Sequence, residues 1–181
     1  MLMNAGLLFS AVKPDVDERA LVARNPQWAP EEMALKLAEA KAVDVSSRNP
    51  AAFVIGADQV LALNGKTYVK PLNVSHCREQ ILELRGKTHA LISGIVCARY
   101  GKVTWGFSDH AVLTMRNFSE AFLDSYLEKI GSDCTSSVGG YKIESLGLQL
   151  FDAVKGDHFT ILGLPLIPLL DYLRREGEIP A

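Results

Sequence analysis

Cysteine is scarce in this chain. The three residues present, Cys77, Cys97 and Cys134, are odd in number, form no CxxC pair and stand in no spaced set with histidine. That pattern excludes a disulfide framework and a cysteine-based zinc site, and it fits a reducing cytosol. Basic charge is not in excess either. Nineteen Lys and Arg face 21 Asp and Glu, for a formal net charge of −2, which excludes a broad footprint for nucleic acid or an anionic membrane surface. A local basic pocket for one small polyanion is still allowed. Long apolar runs are missing as well. The longest, ILGLPLIPLL (161–170), is too short to span a bilayer and is broken by Pro165 and Pro168. The N-terminus has neither the basic region nor the long apolar core of a signal peptide. Repeats, low-complexity segments, a P-loop and a GxGxxG are all absent. His76, His89, His110 and His158 show no ligand spacing and read as structural or surface residues. The expectation is a soluble, cytoplasmic protein with no nucleic-acid or membrane partner.

What is present suits one globular domain: 181 residues, 48% of them apolar, are enough for a substantial core. The spacing predicts a helix over 31–43, with Met33, Ala34, Leu37, Ala38 and Ala40 on one side. Lys41 falls inside that stripe, and a lysine aimed inward needs an anion or a route to water. A β-hairpin follows, Val60–Leu63 and Lys66–Val69 around Asn64-Gly65, a pair suited to a type I′ turn. A helix from Val74 to Arg85 is stopped by Gly86. Strands at 89–99 and 102–115 join around Tyr100-Gly101, and Ser119 caps a helix running to Ile130. Residues 132–145 read as loop, 148–154 as a strand, and Pro165 as the start of a C-terminal helix. Several strands join as hairpins rather than through helical crossovers, so the expected class is α/β or α+β on a long mixed sheet flanked by helices.

Three features carry possible chemistry. In VIGADQVLAL (54–63), Asp58 interrupts an apolar run. It is either a turn or bulge residue or a carboxylate held on a strand end as general base or metal ligand. Lys41 and Lys70, each alone, would snorkel to water; with Asp58 they suggest a site for a phosphate-rich ligand plus a cation. The acidic stretch PDVDER (14–19) reads as a solvated, extended loop, one of whose carboxylates is able to complete a magnesium site.

The ordered motifs PDVDER, LAEAKA, GADQV…NGKTYVKP, LRGKTHALISG, GGYKIESLG and GLPL resemble the Maf family of nucleotide pyrophosphatases, in a single register from about Asn4 to Leu173. The resemblance implies a single domain over 1–181, with a long twisted sheet and two lobes about a central cleft. It also implies metal-dependent hydrolysis of nucleoside triphosphates to the monophosphate and pyrophosphate. By motif, Asp58 corresponds to the proton acceptor for the attacking water, Lys41 and Lys70 to phosphate-binding lysines, and Glu18 to the acidic residue that holds Mg²⁺ or Mn²⁺ with Asp58. Gln59 after the aspartate, with Glu144 in KIESLG, is similar to the branch assigned to 7-methyl-GTP. The dTTP and UTP branches commonly carry Thr and Gln at these two places. An acidic Glu144 suits a cationic methylated guanine or guanine N–H donors. A homodimer would be in keeping with the family. The family's opening strand and Ser-x-Ser-Pro-Arg-Arg-like loop have no counterpart in MLMNAGLLFS, so the expected domain lacks them. That departure motivates the alternative reading, a catalytically weak nucleotide-binding regulator of cell division.

Overall fold

Residues 1–180 are described in the structure, a computed structural model. In chain order the elements are α1 (Glu18–Arg24), α2 (Pro30–Arg48), β1 (Val54–Leu63), β2 (Lys66–Tyr68), α3 (Val74–Leu84), β3 (Thr88–Arg99), β4 (Lys102–Met115), α4 (Glu120–Ile130), β5 (Phe151–Lys155), α5 (His158–Ile161) and α6 (Leu166–Arg175). The strands form one five-stranded sheet in the order β2-β1-β3-β4-β5. Two tight links set its local pairing. Asn64 and Gly65 both take positive φ (52° and 81°), as do Tyr100 and Gly101 (54° and 71°). Paired left-handed residues match the twist of flanking antiparallel strands. β1 pairs β2 antiparallel, Leu63 facing Lys66, and β4 pairs β5 antiparallel with a register shift between Thr114 and Met115. The α/β class with helices flanking one long sheet is as expected. The hairpin pairs contribute no parallel component to the mixed sheet anticipated above.

By contacts the chain divides into two units. The first comprises Met1–Gln59, Ile92–Asp109 and Asp157–Ala181; the second comprises Val60–Leu91 and His110–Gly156.

In the first unit the two-residue period of a strand sorts side chains cleanly. Val54, Val96 and Ala98 pack with Ala38 and Ala42 of α2 on one face. Ile55, Ala57, Ile95, Cys97, Trp105 and Phe107 pack with Leu166, Leu169, Tyr172 and Leu173 of α6 on the other. The α2 face is unusually close. A Cβ on Gly56 would lie 2.5 Å from the Ala38 carbonyl oxygen, and one on Gly94 would lie 2.6 Å from that of Ala34. Ala34, Ala38 and Ala42, fully buried at intervals of four, form the matching stripe on the helix. Neither contacting surface has room for a larger side chain.

In the second unit, α3 buries Cys77, Ile81 and Leu84. Gly140, at φ 74°, lies against the Cys77 sulfur so closely that a Cβ would clash. His89 is buried, its Nε2 is 2.7 Å from the Tyr141 hydroxyl, and burial pushes its pKa down to about 4. It is a neutral packing residue, in line with the structural reading of the histidines.

Several expectations are corrected. β1 runs unbroken through Asp58, because side-chain alternation lets a carboxylate leave the strand without disturbing its ladder; Asp58 is neither a bulge nor a strand end. PDVDER is not extended throughout: Asp17 accepts from the Ala20 amide and caps α1, whose first residue is Glu18. The helix placed at 31–43 continues to Arg48, where Asn49 caps it by donating to the Val45 carbonyl. Residues 146–150 form a 3-10 turn, so the last strand begins only at Phe151. The loop at 132–145 contains two more 3-10 turns, Gly131–Thr135 and Val138–Gly140.

The tight α2 contact yields a stability prediction. Gly56→Ala should lower unfolding free energy by about 1–3 kcal/mol, the usual cost of forcing a methyl into a filled contact. Urea unfolding checks it, and an unchanged midpoint would show that α2 gives way at no cost.

Candidate active site

The close seating of α2 determines where Lys41 reaches. Lys41 lies one position before Ala42 of the small-residue stripe, and its side chain extends to β1. There Nζ is 2.5 Å from Asp58 Oδ1 and 3.0 Å from Glu18 Oε1. Three elements therefore meet at one ammonium: α2 supplies the cation, β1 one carboxylate and the capped first turn of α1 the other. The Asp58 side chain is 12% exposed, that of Lys41 18% and that of Glu18 46%, so the cluster opens to solvent on the Glu18 side.

Burial alone would push the Lys41 ammonium down. Hydrogen bonds and charge from Asp58 and then Glu18 outweigh it and hold the group above its ordinary 10.5. Lys41 is thus a permanent cation at neutral pH. The inward lysine marked by the helical stripe does meet an anion, and it meets two.

Gln59 is placed differently. Asp58 faces α1 and α2, while Gln59, the next residue, leaves β1 on the opposite face and donates from Nε2 to the carbonyls of Thr160 (3.1 Å) and Ile161 (3.0 Å). Its amide is occupied by the chain's own backbone. Lys70 and Glu144 both belong to the second unit and both are exposed. α3 fixes the backbone on each side of Lys70. Gln80 donates to the Val69 carbonyl at 3.0 Å, and the Leu72 amide donates to His76 Nδ1 at 3.3 Å. Glu144 sits in a turn ahead of the 3-10 segment Leu146–Leu150. Of the residues singled out from sequence, then, Lys41, Asp58 and Glu18 come together within the first unit. Gln59 belongs to that unit on the reverse side of the strand.

Sequence reasoning missed Asp109 and Thr160, which with Ser93 share the hydrogen bonds around Gln59. The available signal was weak: an aspartate and a threonine at the ends of apolar runs. It also missed the helical cap at Asp17, for which an aspartate ahead of ERALVAR was a legible cue.

Lys41→Met removes the charge that the two carboxylates share. The loss of stability relative to the wild type should be constant through neutral pH, where the ammonium is protonated in folded and unfolded chains alike. It should shrink as pH rises past 10.5 and through the raised folded value, because the wild type then sheds the same charge. Urea unfolding across that range checks the sign; a difference that widens with alkalinity would contradict it.

Comparison with known proteins places this arrangement in a family. The model described as "Maf-like protein" matches residues 1–176. A protein of Rhodopseudomonas palustris (strain BisB18) named nucleoside triphosphate pyrophosphatase is 46% identical over 176 residues, covering 97% of this chain and 87% of its own. A Brucella abortus protein named 7-methyl-GTP pyrophosphatase is 47% identical over 178 residues, 97% of this chain and 89% of its own. A Mesorhizobium japonicum protein of that same name is 48% identical over 181 residues, 99% of this chain and 91% of its own. With one family model spanning nearly its whole length and relatives this similar, the chain belongs to the Maf family.

Proposed function

We propose that this chain hydrolyses nucleoside triphosphates to the monophosphate and pyrophosphate at the cluster formed by Lys41, Asp58 and Glu18. The observation that carries the reading is the Lys41 ammonium held 2.5 Å from Asp58 and 3.0 Å from Glu18. A rigid strand carboxylate beside a permanent cation has the parts that attack on phosphorus requires: a base for water and a charge for phosphate oxygens. The names of the relatives point to the same enzyme class, and they disfavour a regulator without turnover.

In this reading Asp58 orients and deprotonates the water that attacks the α-phosphorus. Lys41 leaves its carboxylate partners for a phosphate oxygen and neutralises the charge that grows there. Lys70, exposed on a backbone that α3 anchors, neutralises a further phosphate oxygen. Pyrophosphate is the leaving group.

A divalent cation, Mg²⁺ or Mn²⁺, fits beside Glu18 and Asp58. Their carboxylates already converge on one cationic group, and Mg²⁺ commonly takes one or two carboxylates and completes its shell with substrate phosphates and water. Among the described residues no group of three or more His, Cys, Asp or Glu is arranged to hold a metal, so the phosphates would be needed. When bound, such an ion supplies charge stabilisation on the phosphate oxygens.

For the base, the exposed carboxylate of Glu144 favours a guanine edge or a positively charged methylated guanine over a pyrimidine. Relatives named 7-methyl-GTP pyrophosphatase support that choice.

Two measurements check these statements. Asp58→Asn should reduce pyrophosphate release by about 100-fold or more, within the range that general-base removal costs, while the protein stays folded. Full activity in that variant would sink the assignment of the base. Across 7-methyl-GTP, GTP, dTTP and UTP, kcat/KM should be highest for a purine nucleotide. A clear preference for dTTP or UTP would overturn the role given to Glu144.

A further inference from the structure

The short helix that carries Glu18 is not seated in a core. No residue of α1 is buried, and Ala20, Leu21 and Val22 are only half-buried, so apolar packing does little to fix where its first carboxylate points. The stretch leading into α1 is instead tied to α2. Asp44 Oδ2 accepts from the Asp15 amide at 2.9 Å and from Arg48 Nη2 at 2.5 Å. The same Arg48 nitrogen donates to the Lys13 carbonyl at 3.2 Å. One carboxylate–guanidinium pair thereby grips two backbone groups shortly before Glu18. Pro14, between them, has a fixed φ, which stiffens the link. Lys41, Asp44 and Arg48 follow one another at intervals of three and four and share one face of α2. The face that presents Lys41 to Glu18 also holds the backbone that leads to Glu18.

We propose that Asp44, paired with Arg48, is a positioning residue for the divalent cation: it holds residues 13–15 on α2 so that Glu18 stays at the cluster, and it touches neither substrate nor ion. The inference rests on the pyrophosphatase reading above. In that reading Lys41 turns to a phosphate oxygen when the nucleotide binds, and Glu18 then loses its ion pair. The tie through Asp44 keeps the Glu18 carboxylate within reach of the cation at that moment. Glu18 needs such a tie more than Asp58 does, being 46% exposed against 12% and carried on a short helix rather than a sheet strand. An exposed ion pair contributes little to stability by itself, and the Asp44 and Arg48 side chains are 24% and 47% exposed. What distinguishes this pair is that each member also binds backbone, and both backbone groups belong to the run that ends at Glu18. Arg48 first, and then the Asp15 amide, hold the Asp44 carboxyl below its ordinary range, so it is an ionised acceptor at neutral pH.

The test is a Mg²⁺ titration of pyrophosphate release from GTP and 7-methyl-GTP by the full chain and its variants. Asp44→Ala is expected to raise the Mg²⁺ concentration for half-maximal rate by about tenfold, the lower end of what outer-shell changes cost in metal affinity. At saturating Mg²⁺ its kcat should fall by less than about threefold. Asp44→Asn, which keeps an acceptor for the Asp15 amide, should lie between Asp44→Ala and the wild type. Glu18→Ala should raise the Mg²⁺ requirement at least as far as Asp44→Ala does. Adding Asp44→Ala to Glu18→Ala should then change nothing further, because Asp44 acts through Glu18. Apart from turnover, Mn²⁺ binding to the protein with α,β-methylene GTP, followed by electron paramagnetic resonance, should weaken by the same factor in Asp44→Ala. An unchanged metal requirement in a folded Asp44→Ala protein would overturn the proposal. So would an Asp44→Ala effect that persists at full size in the Glu18→Ala background, since a general loosening of the fold would act that way. If Asp44→Ala fails to fold, Asp44→Asn and Arg48→Ala decide by the same criteria. No turnover of either nucleotide by the wild type would instead overturn the pyrophosphatase reading, and the Mn²⁺ titration would then decide the role of Asp44 by itself.

Discussion

An ammonium group set between two carboxylates, with only a minor part of its surface in water, is costly unless every partner stays in place. Desolvation opposes the charge on Lys41, and the attraction of Asp58 and Glu18 restores it. That balance depends on distance, and distance depends on how near α2 approaches the sheet. The approach is made possible by what is missing: no side chain on Gly56 or Gly94, and only methyl groups on Ala34, Ala38 and Ala42. A wider contact would leave the lysine short of the strand and each carboxylate without its counter-charge.

The same strand serves two tasks by alternation. One face of β1 presents Asp58 to the cation. The other supplies Ile55, Ala57 and Gln59 to the layer over α5 and α6. Ion pairing and hydrophobic burial are thus separated by the thickness of a backbone, and the carboxylate does not have to enter the apolar layer. The small unit made by Gln59, Ser93 and Thr160 is the exception on that second face. It is hydrogen-bonded throughout, as a buried polar group must be.

Much of this was legible in the sequence, for identifiable reasons. The first hairpin was marked by Asn64-Gly65, a pair suited to positive φ, and the second link was placed at Tyr100-Gly101; the structure has positive φ at all four. The inward Lys41 was marked by the apolar stripe of its helix, whose period survives in the fold. Asp58 was recognised as anomalous, yet its setting was misjudged. A polar residue in an apolar run looks like a break, whereas alternation lets it sit in an unbroken strand. From the residues alone Glu18 was only part of a charge cluster, because a short helix of seven residues gives too little periodicity to read; the family resemblance singled it out. The partners of Gln59 were not legible at all. They lie 34 to 102 residues away in sequence, and only the folded chain brings β1, β3 and α5 to one place. Resemblance to the family correctly indicated the enzyme class. It also assigned Gln59 to substrate choice; in the fold the Gln59 amide donates to the Thr160 and Ile161 carbonyls.

The measurement that bears most directly on the central claim is a crystal structure of the chain with a nucleoside triphosphate analogue whose α,β-bridging oxygen is replaced by methylene, so that it binds without being cleaved. The expected result is an α-phosphate beside Asp58, with Lys41 turned from its carboxylate partners to a phosphate oxygen. A triphosphate bound elsewhere, with the Lys41–Asp58 pair undisturbed, would contradict the assignment of this cluster as the site of hydrolysis.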